Sequence, residues 1–326
     1  MYVVTRAAAV NSLPQPPSRH LWHCTQTIQA HDSWIRSIAV DGQARYIISG
    51  SGDRTVKLWH LGKGQLHQTL QGHNSWVRAL AISPNNQLIA SGGNDNSICL
   101  WQTDRGAQVA TLKGHRDSVR AVAFSPDGQW IYSGSQDKTV RRWSVATGTL
   151  QDILLTHQHW IRTLVLSPDG RTLVTSTQDK EINICDAATG HVRCYLQRHV
   201  DDIVSLAISP DGELLVSGGA DKKVIFWRLR DGRFMGELDA HSGGVNSVSF
   251  SADGKLLATA SRDRTIRIWN MTTRKLLDIL EGQESGVWSA IFAPDSRTLI
   301  SGDWAGQIRC WQLSHQRLSH PMPSIE

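Results

Sequence analysis

Residues 73–101, HNSWVRALAISPNNQLIASGGNDNSICLW, contain the pattern that decides the fold. WVRALAI alternates apolar and polar or small residues, and LIASGG and SICLW are short apolar runs, as β-strands are. The segments between them, SPNNQ and NDNS, consist of residues that favour tight turns. A further turn, QTDRGA, leads into QVATLKG. This stretch therefore predicts an antiparallel meander of four short strands without a helix.

The same pattern recurs along the chain with a period of 42 residues and without insertions. The tryptophan position holds Trp59, Trp101, Trp143, Trp227, Trp269 and Trp311, with Cys185 in the remaining repeat. The histidine position holds His31, His73, His115, His157, His199 and His241, then Gln283. The aspartate position holds Asp53, Asp95, Asp137, Asp179, Asp221 and Asp263, then Ala305. A hydroxyl precedes each of these by four residues: Ser49, Ser91, Ser133, Thr175, Ser217, Thr259 and Ser301.

This four-position signature resembles the WD-repeat (WD40) family over residues 24–311. The Trp-Asp dipeptide of the family is nearly absent, since only Cys185-Asp186 keeps the acid. The uniform 42-residue repeats are similar to those of bacterial WD-repeat proteins, and the resemblance implies an all-β fold. That fold is a seven-bladed β-propeller whose blades are four-stranded antiparallel sheets around a channel.

The resemblance also implies how the ring closes, because each repeat begins with the outer strand of the preceding blade. The outer strands would be residues 24–30, 66–72, 108–114, 150–156, 192–198, 234–240 and 276–282. The next such position, near residue 318, reads LSHPMPS, and its two prolines disfavour a regular strand. The N-terminal strand must therefore close blade 7. This predicts an N-terminal tail or linker at residues 1–21, a propeller at 22–312 and a C-terminal tail at 313–326.

Six of the seven repeats hold His, Ser or Thr, and Asp at these positions, the residue types of a serine hydrolase. Repetition of this set on many blades argues against catalysis. The resemblance implies instead a hydrogen-bonded tetrad within each blade, in which every buried polar group is paired. The predicted tetrads are His31, Ser49, Asp53 and Trp59; His73, Ser91, Asp95 and Trp101; His115, Ser133, Asp137 and Trp143; His199, Ser217, Asp221 and Trp227; and His241, Thr259, Asp263 and Trp269. Blade 7, with Gln283 and Ala305, is predicted to be the loosest.

No catalytic residue, cofactor or metal site is predicted. His157 and His159 have no cysteine or carboxylate at a zinc-like interval, and no phosphate-binding loop motif occurs. The net charge of +5 and the isoelectric point near 9.1 favour acidic partners. Five dispersed cysteines without a C-x-x-C pair favour a reducing, cytoplasmic location. No apolar run approaches the ~18 residues of a membrane span, and we expect a monomer.

In the family, the residues three and five positions after the histidine, and the residue before the aspartate, face the channel mouth on the top face. Strand alternation places the first two on one side of the strand. Here these surface positions form an arc rich in tryptophan and arginine: Trp34, Arg36, Trp76, Arg78, Arg120, Trp160, Arg162, Arg262, Trp288 and Trp304. Asp201 and Asp202 of blade 5 are expected to oppose this arc.

Exposed Trp and Arg are typical of binding hot spots, and Arg binds carboxylate or phosphate through its planar fork. The sequence thus predicts a non-catalytic protein-interaction scaffold that binds an acidic or phosphorylated peptide or protein segment. Single-stranded nucleic-acid binding through the same residues is an alternative. A substrate-receptor subunit of a larger complex is another, although Trp227-Arg228-Leu229-Arg230 lacks the acid of the family's Trp-Asp-x-Arg motif. A structural alternative is that the tryptophans stack on neighbouring arginines and simply cover the channel.

Overall fold

The structure, a computed structural model, describes residues 21–314, and this range forms strands and turns without a helix. The strands are β1 (Trp22–Gln29), β2 (Ile35–Val40), β3 (Tyr46–Ser51), β4 (Thr55–His60), β5 (Leu66–Gln71), β6 (Val77–Ile82), β7 (Leu88–Gly93), β8 (Ile98–Gln102), β9 (Gln108–Leu112), β10 (Val119–Phe124), β11 (Trp130–Ser135), β12 (Thr139–Ser144), β13 (Leu150–Thr156), β14 (Ile161–Leu166), β15 (Thr172–Thr177), β16 (Glu181–Asp186), β17 (Val192–Gln197), β18 (Ile203–Ile208), β19 (Leu214–Gly219), β20 (Lys223–Arg228), β21 (Phe234–Asp239), β22 (Val245–Phe250), β23 (Leu256–Ser261), β24 (Ile266–Asn270), β25 (Leu276–Leu280), β26 (Val287–Phe292), β27 (Thr298–Asp303) and β28 (Gln307–Leu313). Within residues 21–314, no helix could cross a membrane.

The strands form seven four-stranded antiparallel sheets. Blade 1 is β2–β5, blade 2 is β6–β9, and the next four blades continue in chain order to β22–β25. Blade 7 is built from β26, β27, β28 and β1. The first strands of neighbouring blades contact one another around the ring, including β26 against β2. The predicted seven-bladed propeller is confirmed.

The N-terminal strand closes the ring, as predicted. β1 pairs antiparallel with β28 in a register that runs from Trp22 opposite Leu313 to Gln29 opposite Gln307. The strand begins two residues earlier and ends one residue earlier than the predicted range 24–30. Because β1 covers the otherwise unpaired backbone groups of β28, the seventh blade has no open edge on that strand.

Local hydrogen bonds hold the turns between the first two strands of a blade. In the turn SPDGQ of blade 3, Gly128 has a φ of 72°, a conformation that glycine adopts without steric cost. The Asp127 side chain accepts the Gln129 N–H over 3.0 Å, and Ser125 Oγ accepts the Trp130 N–H over 2.9 Å. These local bonds satisfy the turn backbone, so the reversal does not depend on neighbouring blades.

The core consists of side chains packed between adjacent blades. Gly92 shows how close this packing is, because a Cβ at that position would lie 2.7 Å from Cγ1 of Val119 in the next blade. Gly302 plays the same part at closure, where a Cβ would lie 2.7 Å from Cγ2 of Ile35 in blade 1. Apolar side chains on the first strand of a blade therefore pack closely against the second strand of the preceding blade.

The strands span Trp22–Leu313, and Leu21 and Ser314 flank them. The predicted tails fall almost entirely on residues 1–20 and 315–326, which lie outside the described residues. The domain boundaries therefore stay predictions.

Candidate functional site

Blade 3 shows how the repeated polar network is built. His115 precedes β10, Ser133 lies on β11, Asp137 lies in the following turn and Trp143 lies on β12. Asp137 Oδ2 lies 2.8 Å from His115 Nδ1, and Ser133 Oγ lies 2.7 Å from both His115 Nε2 and Trp143 Nε1. Burial lowers the pKa of His115, which favours the neutral ring. Since the carboxylate only accepts, Nδ1 carries the proton, Ser133 donates to Nε2, and Ser133 accepts the indole N–H.

Blades 1, 2, 5 and 6 bring the same four positions together. Their His–Asp distances are 2.7–2.9 Å, their His–hydroxyl distances 2.7–2.8 Å, and their indole–hydroxyl distances 2.9–3.2 Å. Burial alone would raise the pKa of the carboxyls, but hydrogen bonds, above all from the histidines, lower it below the usual range. This holds for Asp53, Asp95, Asp137, Asp221 and Asp263.

The hydrolase-like grouping has no accessible nucleophile in these blades. Ser133 is 0% exposed, and its oxygen already bonds both the imidazole and the indole. The hydroxyl residues of the other four blades, Ser49, Ser91, Ser217 and Thr259, are equally buried. A substrate could reach these oxygens only if the blade opened, so the arrangement is suited to stabilising the blade.

Blade 7 retains more of its network than the sequence predicts. Gln283 Nε2 donates to Ser301 Oγ over 3.2 Å, and Trp311 donates to the same oxygen over 3.0 Å. Asp303, two residues before Ala305, is buried and accepts the backbone N–H groups of Ala305 and Gln307. It thus closes the turn that the tetrad aspartate closes elsewhere.

Blade 4 is the loose blade, and the prediction for blade 7 is wrong. Thr175 Oγ1 lies 3.5 Å from His157 Nε2, and within residues 21–314 no hydrogen bond joins His157 to Asp179. Cys185 is far smaller than the tryptophan of the other blades. A cavity of about 260 Å³, lined by His157, Asp179 and Tyr195 among others, lies in this blade. Burial lowers the pKa of His157, and the charges of Glu181 and Asp179 oppose this shift without a hydrogen bond to the ring in the described part of the chain.

The arginines predicted for the top face converge at the channel mouth. Arg36, Arg78, Arg120 and Arg162 lie on β2, β6, β10 and β14, the first strands of blades 1 to 4. Arg262 reaches the same place from the turn after β23 in blade 6. The five side chains, with Asp202, Val204 and Trp288, line a cavity of about 70 Å³. All of these except Asp202 and Arg262 also line the larger channel cavity of about 680 Å³. We call Arg36, Arg78, Arg120, Arg162 and Arg262 the arginine ring.

The arginine ring is not the simple surface feature that the sequence suggests. Burial, followed by repulsion from the other four arginines, lowers the pKa of Arg36 to about 9. Burial, followed by repulsion from Arg78 and Arg162, lowers the pKa of Arg120 to about 10. Arg36 and Arg120 therefore remain charged at neutral pH. The mouth therefore holds closely spaced like charges in a partly dehydrated setting, which is unfavourable without a counter-charge.

The expectation that Asp201 and Asp202 oppose the arc is wrong in detail. Asp202 forms a close ion pair with Arg162 of the neighbouring blade, so it is part of the mouth. Asp201 is exposed. The sequence separates Arg162 and Asp202 by almost one repeat, and only the ring brings the two positions side by side. One of the five positive charges is thereby offset within the protein.

The tryptophans form two pairs and one isolated side chain. Trp34 and Trp76 pack edge to face with ring centroids 5.4 Å apart, and the Arg78 guanidinium lies over both rings. Trp288 and Trp304 stack at 5.4 Å, with Arg36 over Trp288 at 4.3 Å. Trp160 stands apart on blade 4. The stacked arrangement agrees with a partial cover of the channel and leaves Trp76, Trp160 and Trp304 exposed.

Sequence reasoning missed the polar residues that orient the ring. Asn94 Oδ1 accepts from Arg78 Nε over 2.8 Å and from Ser118 Oγ over 2.5 Å. Asn246 Oδ1 accepts from Arg262 Nε over 3.3 Å, while its amide nitrogen donates to the Val287 carbonyl. Both asparagines occupy positions already assigned to the mouth, so their amide chemistry was the available signal. In the described part of the chain, no group of three or more His, Cys, Asp or Glu side chains could hold a metal ion.

Comparison with family models matches most of the chain. A model described as the WDR36/Utp21 second beta-propeller domain matches residues 18–180, which is half of the chain. The WD domain, G-beta repeat, matches residues 190–228, 232–270 and 274–312.

Curated relatives match over short segments. Pre-mRNA-splicing factor prp46 of Emericella nidulans is 43% identical over 53 residues, which is 16% of this chain and 12% of that protein. Pleiotropic regulator 1 of Homo sapiens is 36% identical over 55 residues, which is 17% of this chain and 11% of that protein. Protein pleiotropic regulatory locus 1 of Arabidopsis thaliana is 34% identical over 67 residues, which is 19% of this chain and 14% of that protein. The matched segments thus span 11–14% of the length of these three relatives.

Proposed function

The chain belongs to the WD40-repeat family of β-propeller proteins, and from that premise we propose that it is a non-catalytic scaffold whose top face binds an acidic or phosphorylated segment of a partner protein. The family and the splicing-factor relatives indicate a protein-interaction scaffold in general terms. The acidic ligand, the top face and a cytoplasmic location are the specific parts of the proposal.

The observation that carries the proposal is the group of exposed tryptophans around an arginine-lined mouth. Trp76, Trp160 and Trp304 are 44%, 36% and 51% exposed, although each would gain by burying its ring. Exposed aromatic side chains grouped with arginine are typical of sites where a partner docks. A bound segment would cover the indoles with apolar or aromatic side chains and place its acids over the mouth.

The charge of the mouth supports an acidic ligand. Five arginines face one acid in ion-pair contact, Asp202, so the mouth attracts anions. Lysine is absent from the residues that line this cavity in the described structure. The five arginines are concentrated at one small cavity, which a short acidic segment can reach, whereas a nucleic-acid strand needs a longer phosphate-binding groove.

A peptide array tests the proposal directly. Each sequence is synthesised with serine, aspartate and phosphoserine at its centre and with apolar flanks, and it is probed with the full chain at low and high salt. We expect binding to the acidic or phosphorylated versions that weakens as salt rises, because the Debye length shrinks from ~10 Å at 0.1 M to ~3 Å at 1 M. A single-stranded oligonucleotide serves as competitor.

The matched variants differ only in where the same charge change is made. Arg78→Glu with Arg120→Glu alters the ring and should abolish binding. Arg105→Glu with Arg230→Glu alters exposed side chains in turns at the other end of the blades and should leave binding intact. Equal binding by both double variants would refute the top-face proposal, and efficient competition by the oligonucleotide would favour the nucleic-acid alternative.

A further inference from the structure

The arginine ring brings together more positive charge than the protein itself balances. Arg36, Arg78, Arg120, Arg162 and Arg262 line one small cavity, and Asp202 is paired only with Arg162. Folding thus assembles like charges from five separate blades at the axis. Such an arrangement lowers the stability of the free protein unless an anion occupies the centre.

Several hydrogen-bond donors at the cavity have no partner. Nε of Arg120, Nε of Arg162 and Nε1 of Trp288 are buried and unpaired within the described residues. Within the same range, the Arg36 and Arg120 side chains make no hydrogen bond, although Arg36 stacks on Trp288. Buried donors without acceptors are costly, so this set points to a missing acceptor.

The size and symmetry of the cavity define the chemistry of that acceptor. About 70 Å³ is room for a small polyatomic ion and not for a base or a peptide stretch. A carboxylate offers two oxygens in one plane, whereas these donors approach from different blades around the axis. A tetrahedral oxyanion presents acceptors in every direction and carries about −1.5 to −2 charges when it is a phosphoryl group.

We propose that the arginine ring is a built binding site for one tetrahedral oxyanion of the phosphate class, held on the propeller axis. The site takes the phosphoryl chemistry itself, whether from free inorganic phosphate or from a phosphorylated partner. This inference rests on the proposed function only where the oxyanion belongs to a phosphorylated partner. The bound oxyanion neutralises the ring and accepts the unpaired Arg and Trp donors.

Inorganic phosphate tests the site on the protein alone. The full chain is dialysed into chloride and titrated with sodium phosphate or sodium chloride at matched ionic strength, followed by thermal melting and isothermal titration calorimetry. We expect one phosphate bound per chain and a melting temperature that rises with phosphate but not with chloride. No phosphate-specific shift and no binding heat would overturn the proposal.

Variants locate the bound ion. Arg120→Gln should weaken phosphate binding at least tenfold, whereas Arg105→Gln, at an exposed turn, should bind like wild type. Without phosphate, Arg120→Gln should melt no lower than wild type, since it removes one of the repelling charges. Trp288→Phe keeps an aromatic ring in the stack but removes the indole donor, so it should weaken binding severalfold even if Arg120→Gln fails to fold. Equal affinity for phosphate in all four proteins would refute the assignment.

The outcomes separate this inference from the proposed function. Phosphate binding at the ring, with no captured acidic or phosphorylated peptide, would refute the proposed function and leave the oxyanion site standing. Peptide capture that excess phosphate does not displace, with no phosphate-specific melting shift, would refute the oxyanion site alone.

Discussion

Thr259→Val, compared with Thr175→Val, separates a complete tetrad from an incomplete one. Both threonines are 0% exposed and hold the same position, in blades 6 and 4. Valine has nearly the shape of threonine, so each substitution removes a hydroxyl without opening a large cavity. The difference between the two variants therefore reports the hydrogen bonds of that hydroxyl.

The structure sets the expected magnitudes. Thr259 Oγ1 lies 2.8 Å from His241 Nε2 and accepts the Trp269 indole N–H over 3.0 Å. Loss of this oxygen leaves two buried groups unpaired, at about 1–3 kcal/mol each, so we expect a loss of about 2–6 kcal/mol in the free energy of unfolding. Thr175 has only the 3.5 Å contact with His157 and no indole partner. We expect Thr175→Val to cost less than about 1 kcal/mol.

Urea unfolding followed by circular dichroism measures both variants against wild type at one temperature and pH. An unchanged dependence on urea concentration would show that the variants differ in stability and not in the extent of unfolding. Similar losses for the two variants would refute the view that the blade 4 network is open. A loss below about 0.5 kcal/mol for Thr259→Val would refute the stabilising role of the tetrad itself.

Four further outcomes are expected. Deleting residues 1–30 should lower the melting temperature relative to deleting 1–20, because the longer cut removes β1 and exposes β28; identical melts would contradict the closure. Asp137→Asn should destabilise at neutral pH, and its deficit in urea midpoint should narrow as the pH falls below about 4, since the lowered pKa of Asp137 stabilises the fold only while the carboxyl is ionised; a constant deficit would contradict this. Arg78→Glu with Arg120→Glu should not lower the melting temperature in chloride, because it relieves repulsion within the ring; a lower melting temperature would contradict the claim that charge repulsion in the ring destabilises the free protein. Trp76→Ala should speed dissociation of a bound segment and leave association unchanged in stopped-flow measurements; a slower association with an unchanged off-rate would show that Trp76 acts in steering.

The repeat pattern alone was enough to predict the blade architecture. Strands of about six residues alternate with turns such as SPDG, and both depend on side chains that are close in sequence. A period of 42 residues without insertions repeats this local unit, and the two prolines near residue 318 leave only the N-terminal strand to complete blade 7. The spacing of His115, Ser133, Asp137 and Trp143 likewise lies within one repeat.

The state of each network and of the channel mouth depended on tertiary packing. Blade 4 is open because Cys185 supplies no indole and Thr175 lies 3.5 Å from His157, whereas in blade 7 Gln283 and Trp311 still bond Ser301 and Asp303 accepts the turn backbone. The amino-acid sequence shows which side chains are missing, but it does not show how neighbouring side chains pack in their place. Likewise, Arg162 and Asp202 pair, and Arg262 joins four arginines from other blades, because closing the ring sets the distances between repeats. Burial and repulsion among side chains more than forty residues apart are properties of that closed geometry, and no local sequence pattern encodes them.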